Sequence, residues 1–424
     1  MGSTGLNSSV QETDVVAARA DIVVALTSYN HASTVGSVAR AAKDALSTYF
    51  GSTEAKIVLA DAGSTDGTRE AARNAVGTTS LVEVEYPRPA PALAGVPYHG
   101  FPGRSQALRA VLQAAQRLDA KACALVDAGV QTIVPQRIEQ LIRPVLNGDF
   151  DYVSAYYTRH AYDGAITKGI VYPMFRALYG VALRQPAASE FGCSARLLAN
   201  YLEQDFWDLE NAPVGIDLWL AVAAAAGAFK PCEVALGVRR SVTAATPDLS
   251  TTLAQVVGAL FTDLENHVDV WQRVRGALRV PVFGATADVE PDAPSVNPER
   301  LIESFRLGYR ELREIWTWVL PPKTIIELRR LCDAPIERFR FDDTLWAGII
   351  YDFAFGHGLR VLPRDHLLRS LTPLYTGWMA SFILQVRGAG SDVVTERLEQ
   401  VCLAFEAQKR YLISRWRWPE RFRR

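Results

Sequence analysis

Cysteine is scarce in this chain, and the five thiols, at positions 123, 193, 232, 332 and 402, are odd in number, widely spaced and set mostly in apolar runs. That pattern excludes a disulfide framework and a thiolate metal site, and reads as buried free thiols in a reducing compartment. An excess of charge of one sign is also missing. Forty-five basic and 46 acidic residues leave a net charge of -1, which speaks against a general nucleic-acid binder or a membrane-surface protein. Any recognition of charge must be local. Histidines are few, and His31, His99 and His160 stand alone without metal-site spacing. Long apolar runs are absent as well: Leu218 to Phe229, the most hydrophobic stretch, is Ala-rich and much shorter than the roughly 20 residues that span a bilayer. The N-terminus lacks a basic segment followed by an apolar core. Residues 1–20 therefore read as a disordered leader, and a cytoplasmic protein is expected.

What is present is enough apolar residue, 49% of 424, for a large core. Two domains, or one with a large extension, are expected. Ile22-Val23-Val24-Ala25-Leu26, Lys56-Ile57-Val58-Leu59-Ala60, Leu81 to Tyr86, Ala122-Cys123-Ala124-Leu125-Val126 and Tyr152 to Tyr157 read as strands. Helical patterns follow from Ser33, Thr68 and Ser105, and Ile166 to Leu183 looks mostly helical with Pro173 at a start or kink. The stretch Pro87 to Gly103 is too rich in proline and glycine to be other than a loop. Alternation of this kind builds an open, largely parallel sheet whose ligands bind beyond the carboxyl ends of its strands. After about Leu249 the strand signals fade. Ile302, Phe305, Tyr309, Leu312, Trp316 and Val319 line one helix face, and similar stripes run through Leu345–Phe355, Leu367–Val386 and Val393–Ile413. Val280 to Pro298 reads as a linker. The expected organisation is an α/β domain over residues 21–248 and a mainly helical one over 249–424.

The chemistry-bearing segments sit at strand ends. Asp61-Ala62-Gly63-Ser64-Thr65-Asp66-Gly67-Thr68 offers a carboxylate for ribose or base hydroxyls and small residues that permit close approach. Equally, it suits an Asx turn leading into the next helix, capped by Asp66 or Thr65. Asp127, closing the Ala122–Val126 strand, is either a turn former or a group facing a metal or a diphosphate.

In order and spacing, Ala25-Leu26-Thr27-Ser28-Tyr29-Asn30, Asp61 to Thr68, Pro102-Gly103-Arg104-Ser105-Gln106-Ala107-Leu108 and Val126-Asp127-Ala128-Gly129 resemble a GT-A glycosyltransferase. Gln185-Pro186-Ala187-Ala188-Ser189-Glu190-Phe191-Gly192 resembles the Gln-Pro-Leu-Gly-Gly-Glu segment of the retaining glucosyl-3-phosphoglycerate and mannosylglycerate synthases, and Gly215-Ile216-Asp217 resembles their next acidic motif. The likeness spans roughly residues 20–245, with a helical remainder like the extension of mannosylglycerate synthase. It implies a Rossmann-like, nucleotide-sugar-binding domain and transfer of a hexose from a GDP- or UDP-linked donor to a small anionic acceptor such as glycerate or 3-phosphoglycerate, with retention. Thr27, Tyr29, Asn30, Asp61, Gly63, Ser64, Arg104, Asp127 and Ala128 would line the donor. Glu190 would meet the sugar hydroxyls, and Asp217 would stand near the acceptor hydroxyl as base or orienting group. Arg159, Thr167 and Lys168 fall where the acceptor binds. A non-catalytic nucleotide-sugar binder, or a transferase of the same fold with another acceptor, is the alternative, and a homodimer is compatible with the helical stripes.

Two departures from that pattern bear on the metal. The family's Asp-x-Asp has Gly129 in place of its second carboxylate, and the region of its metal-binding His reads Gly237-Val238-Arg239-Arg240-Ser241. A divalent cation, Mg²⁺ or Mn²⁺, would then be held by Asp127 with water and diphosphate oxygens. Alternatively, Arg239 or Arg240 replaces it, since guanidinium binds phosphate bidentately.

Overall fold

A computed structural model describes residues 19–61, 63–86, 101, 103–208, 212–240, 248–284 and 295–418. The leader up to residue 18, nearly all of the Pro-rich loop, Ser241 and the middle of the expected linker lie outside the described residues.

The chain alternates strands and helices for its first 240 residues. It runs β1 (Ile22–Ser28), α1 (Ala32–Tyr49), β2 (Ala55–Asp61), α2 (Thr68–Val76), β3 (Leu81–Val84), α3 (Arg104–Arg117), β4 (Ala122–Asp127), α4 (Pro135–Leu146) and β5 (Tyr152–Thr158). A π-helical turn (Thr167–Val171) leads into α5 (Tyr172–Tyr179), then β6 (Val181–Ala182), β7 (Phe191–Ser194), α6 (Ala195–Glu203), α7 (Ala212–Ala226) and β8 (Pro231–Val238). Next come α8 (Leu249–Asn266), α9 (Val268–Trp271), β9 (Leu278–Arg279) and β10 (Val282–Phe283). Helices complete it: α10 (Pro298–Thr317), α11 (Pro322–Asp333), α12 (Asp343–Gly358), α13 (Arg364–Ser370), α14 (Thr372–Val386) and α15 (Ser391–Arg417).

Eight strands form one sheet in the order β10-β8-β5-β7-β4-β1-β2-β3. All neighbours are parallel except β7, which runs antiparallel to both β4 and β5. The α/β class with a helical C-terminal region is thus what the sequence reading expects. The period-two alternation of each strand divides its side chains between two cores. Ile22, Val24, Leu26, Ile57, Leu59, Ala124 and Val126 pack with α1, α2 and α4 on one face. Val23, Ala25, Val58, Cys123 and Leu125 pack with α3 on the other, in a core that continues through the C-terminal helices.

Those helices dock on the first half by specific contacts. Trp346 Nε1 donates to the Gly169 carbonyl at 2.8 Å, and Lys409 Nζ to the Ala177 carbonyl at 2.6 Å. Trp378 lies so close to Gly169 that a Cβ there would come within 2.2 Å of its ring. The Ile166–Leu183 stretch is accordingly more broken than its composition suggests: a π-turn against Trp378, one short helix with Pro173 in its first turn, then β6. The Leu367–Val386 stripe is two helices, with Pro373 in the first turn of the second. Val282 and Phe283, inside the stretch read as a linker, return to pair with β8. Two residues with side chains 45% and 42% exposed leave no periodic signal to read.

Candidate active site

Strand order places a crevice between β1 and β4. The chain moves outward from β1 through β2 to β3, then returns to add β4 on the opposite side of β1. At such a reversal the loops beyond the carboxyl ends diverge, and ligands bind between them. Thr27 on β1 stands opposite Asp127 on β4 in the parallel register, at this point of the sheet. Because β7 is antiparallel, it presents its start rather than its end at the same edge: Phe191 pairs with Leu125, so Glu190 falls beside the last residues of β4. β8 ends where Val238 pairs with Thr158 of β5, and Arg239 and Arg159 leave the two strands side by side.

Arg104 opens α3 after Gly103, whose φ of 87° lies in the left-handed region that favours glycine. Its side chain is 1% exposed. Nε lies 3.0 Å from Asp217 Oδ2, Nη2 donates to Asp217 Oδ1 at 2.8 Å and to the Ser189 carbonyl at 2.9 Å, and Nη1 donates to Thr27 Oγ1 at 3.2 Å. Burial disfavours its charge, but Asp217 overrides this and raises the guanidinium's pKa. Arg104 is therefore a buried strut between β1, the loop before β7 and α7, and Asp217 is its buried counter-ion. Asp217 lies beyond the first turn of its helix and accepts from Arg104 with both oxygens, an arrangement distinct from an N-terminal cap.

Arg239 spans the other two carboxylates. Its Nη2 donates to Asp127 Oδ2 at 3.0 Å and its Nε to Glu190 Oε1 at 3.2 Å, with the guanidinium 6.0 Å from the Tyr157 ring centre. Burial again opposes the charge, and Glu190 and Asp127 more than compensate, raising its pKa. For Asp127, burial pushes the carboxyl up, but Arg239 and Arg104 hold it below the usual range. The other Asp127 oxygen, Oδ1, accepts the Gly129 amide at 2.9 Å. Among the described residues no group of three His, Cys, Asp or Glu could hold a metal ion. As placed, Asp127 is the carboxylate a divalent cation would share with water and diphosphate oxygens, and its two oxygens here take the Gly129 amide and the Arg239 guanidinium.

The Asp61 turn is built around its own carboxylate. Oδ1 accepts from the Gly63 and Ser64 amides at 2.9 and 2.7 Å, and Oδ2 from the Ser28 and Ser64 hydroxyls at 2.9 and 2.6 Å. Burial raises the Asp61 pKa, yet these bonds and Arg69 bring it below the usual carboxylate value. Asn30, at a positive φ of 54°, ties this turn to the β1 loop: its amide donates to Ser64 Oγ at 2.7 Å and its side chain accepts from Thr65 at 3.1 Å. Asp66 accepts from the Ala32 and Thr68 amides, joining the starts of α1 and α2. Tyr29 lies 6.4 Å from Phe101, and Ala128 is buried with its amide on the Thr27 carbonyl at 3.2 Å.

The remaining sequence candidates lie after β5 or at the rim. Arg159 covers the turn at Gly164, where a Cβ would meet Nη1 at 2.9 Å. Lys168 Nζ donates to the His160 and Ala161 carbonyls at 2.6 and 3.2 Å, and burial pulls its pKa down to about 8. Thr167 is buried on the π-turn. Arg159 and Lys168 thus bear on the turn after β5, with Thr167 beside Lys168 on the π-turn. Arg240 is exposed, and its amide donates to Thr132 Oγ1 at 3.2 Å.

Sequence reasoning missed three contributors. Tyr157, buried against Glu190 and Arg239, has its hydroxyl pKa raised well above the ordinary value by burial first and by Glu190 next. Ser189 donates from Oγ to Glu190 Oε2 at 3.0 Å and supplies the carbonyl that Arg104 grips. His31 lies against Asp127 and Gly129. Only the small residue at 129 hints at this in the sequence.

No protein-family model and no curated protein matches the chain. Among solved structures it is similar to glucosyl-3-phosphoglycerate synthase from Mycobacterium tuberculosis, crystallised with Mn²⁺, UDP and glucosyl-3-phosphoglycerate, at 24% identity over 58% of this chain and 79% of that one, TM-score 0.42. It is also similar to mannosyl-3-phosphoglycerate synthase from Rubrobacter xylanophilus (21% identity, 61% and 78% covered, TM-score 0.42). A mannosyltransferase from Pyrobaculum calidifontis, in complex with GDP-Man and Mn²⁺, is 14% identical with 92% and 87% covered, TM-score 0.42. At these scores, the roles of individual side chains rest on the geometry described above.

Proposed function

We propose that this protein is a cytoplasmic GT-A-type glycosyltransferase that moves a hexose from a GDP- or UDP-linked donor to a small anionic acceptor such as glycerate or 3-phosphoglycerate, with retention, and without a divalent cation. The observation that carries this reading is the pairing of Thr27 with Asp127 at the strand-order reversal, with Arg239 laid across Asp127 and Glu190 beside it. A crevice that offers a guanidinium and carboxylates at a sheet's carboxyl edge suits a ligand with one phosphate end and one hydroxyl-rich end.

In this reading the C1–O bond to the diphosphate breaks while the acceptor oxygen bonds to C1 on the same face, and the acceptor's proton passes to the departing phosphate oxygen. The main demand on the enzyme is then stabilising the leaving phosphate and holding the acceptor close. Arg239 meets the diphosphate, with Arg240 as a second cation from the rim. Glu190 holds sugar hydroxyls, and Asp217 acts as the orienting group for Arg104 rather than as a base. Tyr29, Asn30, Asp61, Gly63, Ser64 and Ala128 shape the nucleoside side of the crevice. Arg159, Thr167 and Lys168 receive the acceptor's carboxylate or phosphate. The family resemblance of the motifs supports the choice of donor and acceptor.

Incubating the protein with GDP- and UDP-linked glucose and mannose, and with glycerate or 3-phosphoglycerate, tests the reading. Glycosylated acid formed equally with and without EDTA is the expected result. Donor binding without product would assign the protein to the non-catalytic alternative, and product lost in EDTA would restore the metal.

A further inference from the structure

We propose that His31, resting on the donor reading above, is a further diphosphate contact: a neutral imidazole whose Nε2–H reaches the ligand held beside Asp127 and Arg239. His31 directly precedes α1, at the carboxyl end of β1. Its Nδ1 accepts the Tyr29 amide at 3.3 Å, and its own amide donates to Thr68 Oγ1 at 2.9 Å. The backbone bond at Nδ1 places the ring proton on Nε2. No protein group among the described residues is hydrogen-bonded to Nε2.

Position 129 shows where that nitrogen points. A Cβ on Gly129 would lie 2.9 Å from His31 Nε2 and 3.3 Å from Asp127 Oδ1, so the two polar atoms flank one small volume at the β4 end. The Gly129 backbone is not in the left-handed region, so only these neighbours require the absence of a side chain. The ring is fixed laterally by Phe101, 6.1 Å away and edge-on. Burial lowers the His31 pKa more than Asp127, Asp66 and Asp61 raise it, which keeps the imidazole neutral at neutral pH. A neutral N–H donor adds no charge to the carboxylate cluster and still offers a phosphate oxygen a charge-assisted bond. His31 and Gly129 then form one arrangement: the imidazole stands where a residue-129 carboxylate would project.

Calorimetric titration of UDP and GDP into the wild type, H31A, H31Q and R239A in EDTA tests the contact. H31A is expected to weaken the better-binding nucleotide roughly tenfold or more, the size of a bond to a charged group. H31Q, whose side-chain amide reproduces an Nε2–H donor, is expected to stay within about threefold. If H31A binds like the wild type while R239A does not, the His31 contact is overturned and the diphosphate site stands. If the wild type binds neither nucleotide, in EDTA or with Mn²⁺ added, the site reading and this proposal fail together, and if it binds only with Mn²⁺ the same comparison of H31A and R239A is read there. Should H31A not fold, imidazole ¹⁵N spectra of the wild type decide: the Nε2 resonance is expected to move on adding the nucleotide, and an unmoved resonance overturns the proposal. A second check is steric. G129A is expected to lower the melting temperature in the wild type and to lower it clearly less in H31A, where Asp127 Oδ1 at 3.3 Å still crowds the added Cβ, and equal losses in both would remove His31 as the nearer neighbour that excludes a side chain.

Discussion

Three carboxylates, Asp127, Glu190 and Asp217, face two guanidiniums, Arg104 and Arg239, in two bonded clusters joined through Ser189. Removing one partner of a buried pair leaves a charge without compensation, at a cost of about 3–5 kcal/mol. D217A is therefore expected to lower the unfolding free energy by that order in urea titrations, with nucleotide affinity falling only as the fold loosens. Asp127 separates the two accounts of the phosphate partner. If Arg239 alone meets the diphosphate, D127N relieves excess negative charge, and nucleoside diphosphate binding in calorimetry is expected to hold or strengthen. A cation held by Asp127 would make the same variant bind far more weakly. The sequence made the acidic strand ends legible, because an Asp closing an apolar run is a local signal. Partners 112 and 113 residues apart, Arg239–Asp127 and Arg104–Asp217, are not local, so the engagement of Arg104 could not be read. Nor could the extent to which the Asp61 carboxylate is consumed by its own turn.

Strands β1, β2 and β4 are readable because burial on both faces makes continuous apolar runs, at Ile22–Leu26, Ile57–Ala60 and Ala122–Val126. β7 is not, since Phe191-Gly192-Cys193-Ser194 is short and mixed, yet its reversed direction brings Glu190 to the site. Gly192 is the weak point of this element, because an added Cβ would lie 2.1 Å from the Leu141 carbonyl oxygen of α4. G192A must push β7 away from α4. Overpacking of this kind costs about 1–3 kcal/mol, and the shift should disturb nucleotide binding through Glu190. Wild-type affinity in a destabilised G192A would show that β7 does not position the site. In the helical region, α12 carries buried Asp352, bonded to Tyr411 at 2.6 Å and paired with Arg415 of α15. Burial outweighs both partners and pushes its carboxyl up to about 7. Between its unfolded value of about 3.9 and that figure, the folded state holds a proton the unfolded chain has lost. Its contribution to stability consequently falls as pH rises through that window. D352N is expected to flatten this slope in urea midpoints measured across it, and an unchanged slope would remove Asp352 as its source.

At the scale of the whole molecule, one core runs from the α3 face of the sheet through α15, and among the described helices none is long and apolar enough to cross a membrane. The docking of Trp346 and Trp378 on Gly169 predicts that the helical region and the sheet unfold together. Tryptophan fluorescence and far-UV circular dichroism should give coincident denaturation curves, whereas two separated transitions would mean independent domains. The helical half was legible as helices but not as a partner for the sheet. Stripes of apolar residues report that a face is buried, not what buries it, and α12 and α14 are buried nearly all round. The account depends most on Arg239 as the group that meets the diphosphate. Calorimetry of GDP and UDP with the wild type, R239K and R239A in EDTA measures this directly. Metal-free binding by the wild type, weakened in R239K by loss of the bidentate fork and abolished in R239A, is the predicted result, and wild-type binding that appears only with Mn²⁺, or persists undiminished in R239A, would contradict it.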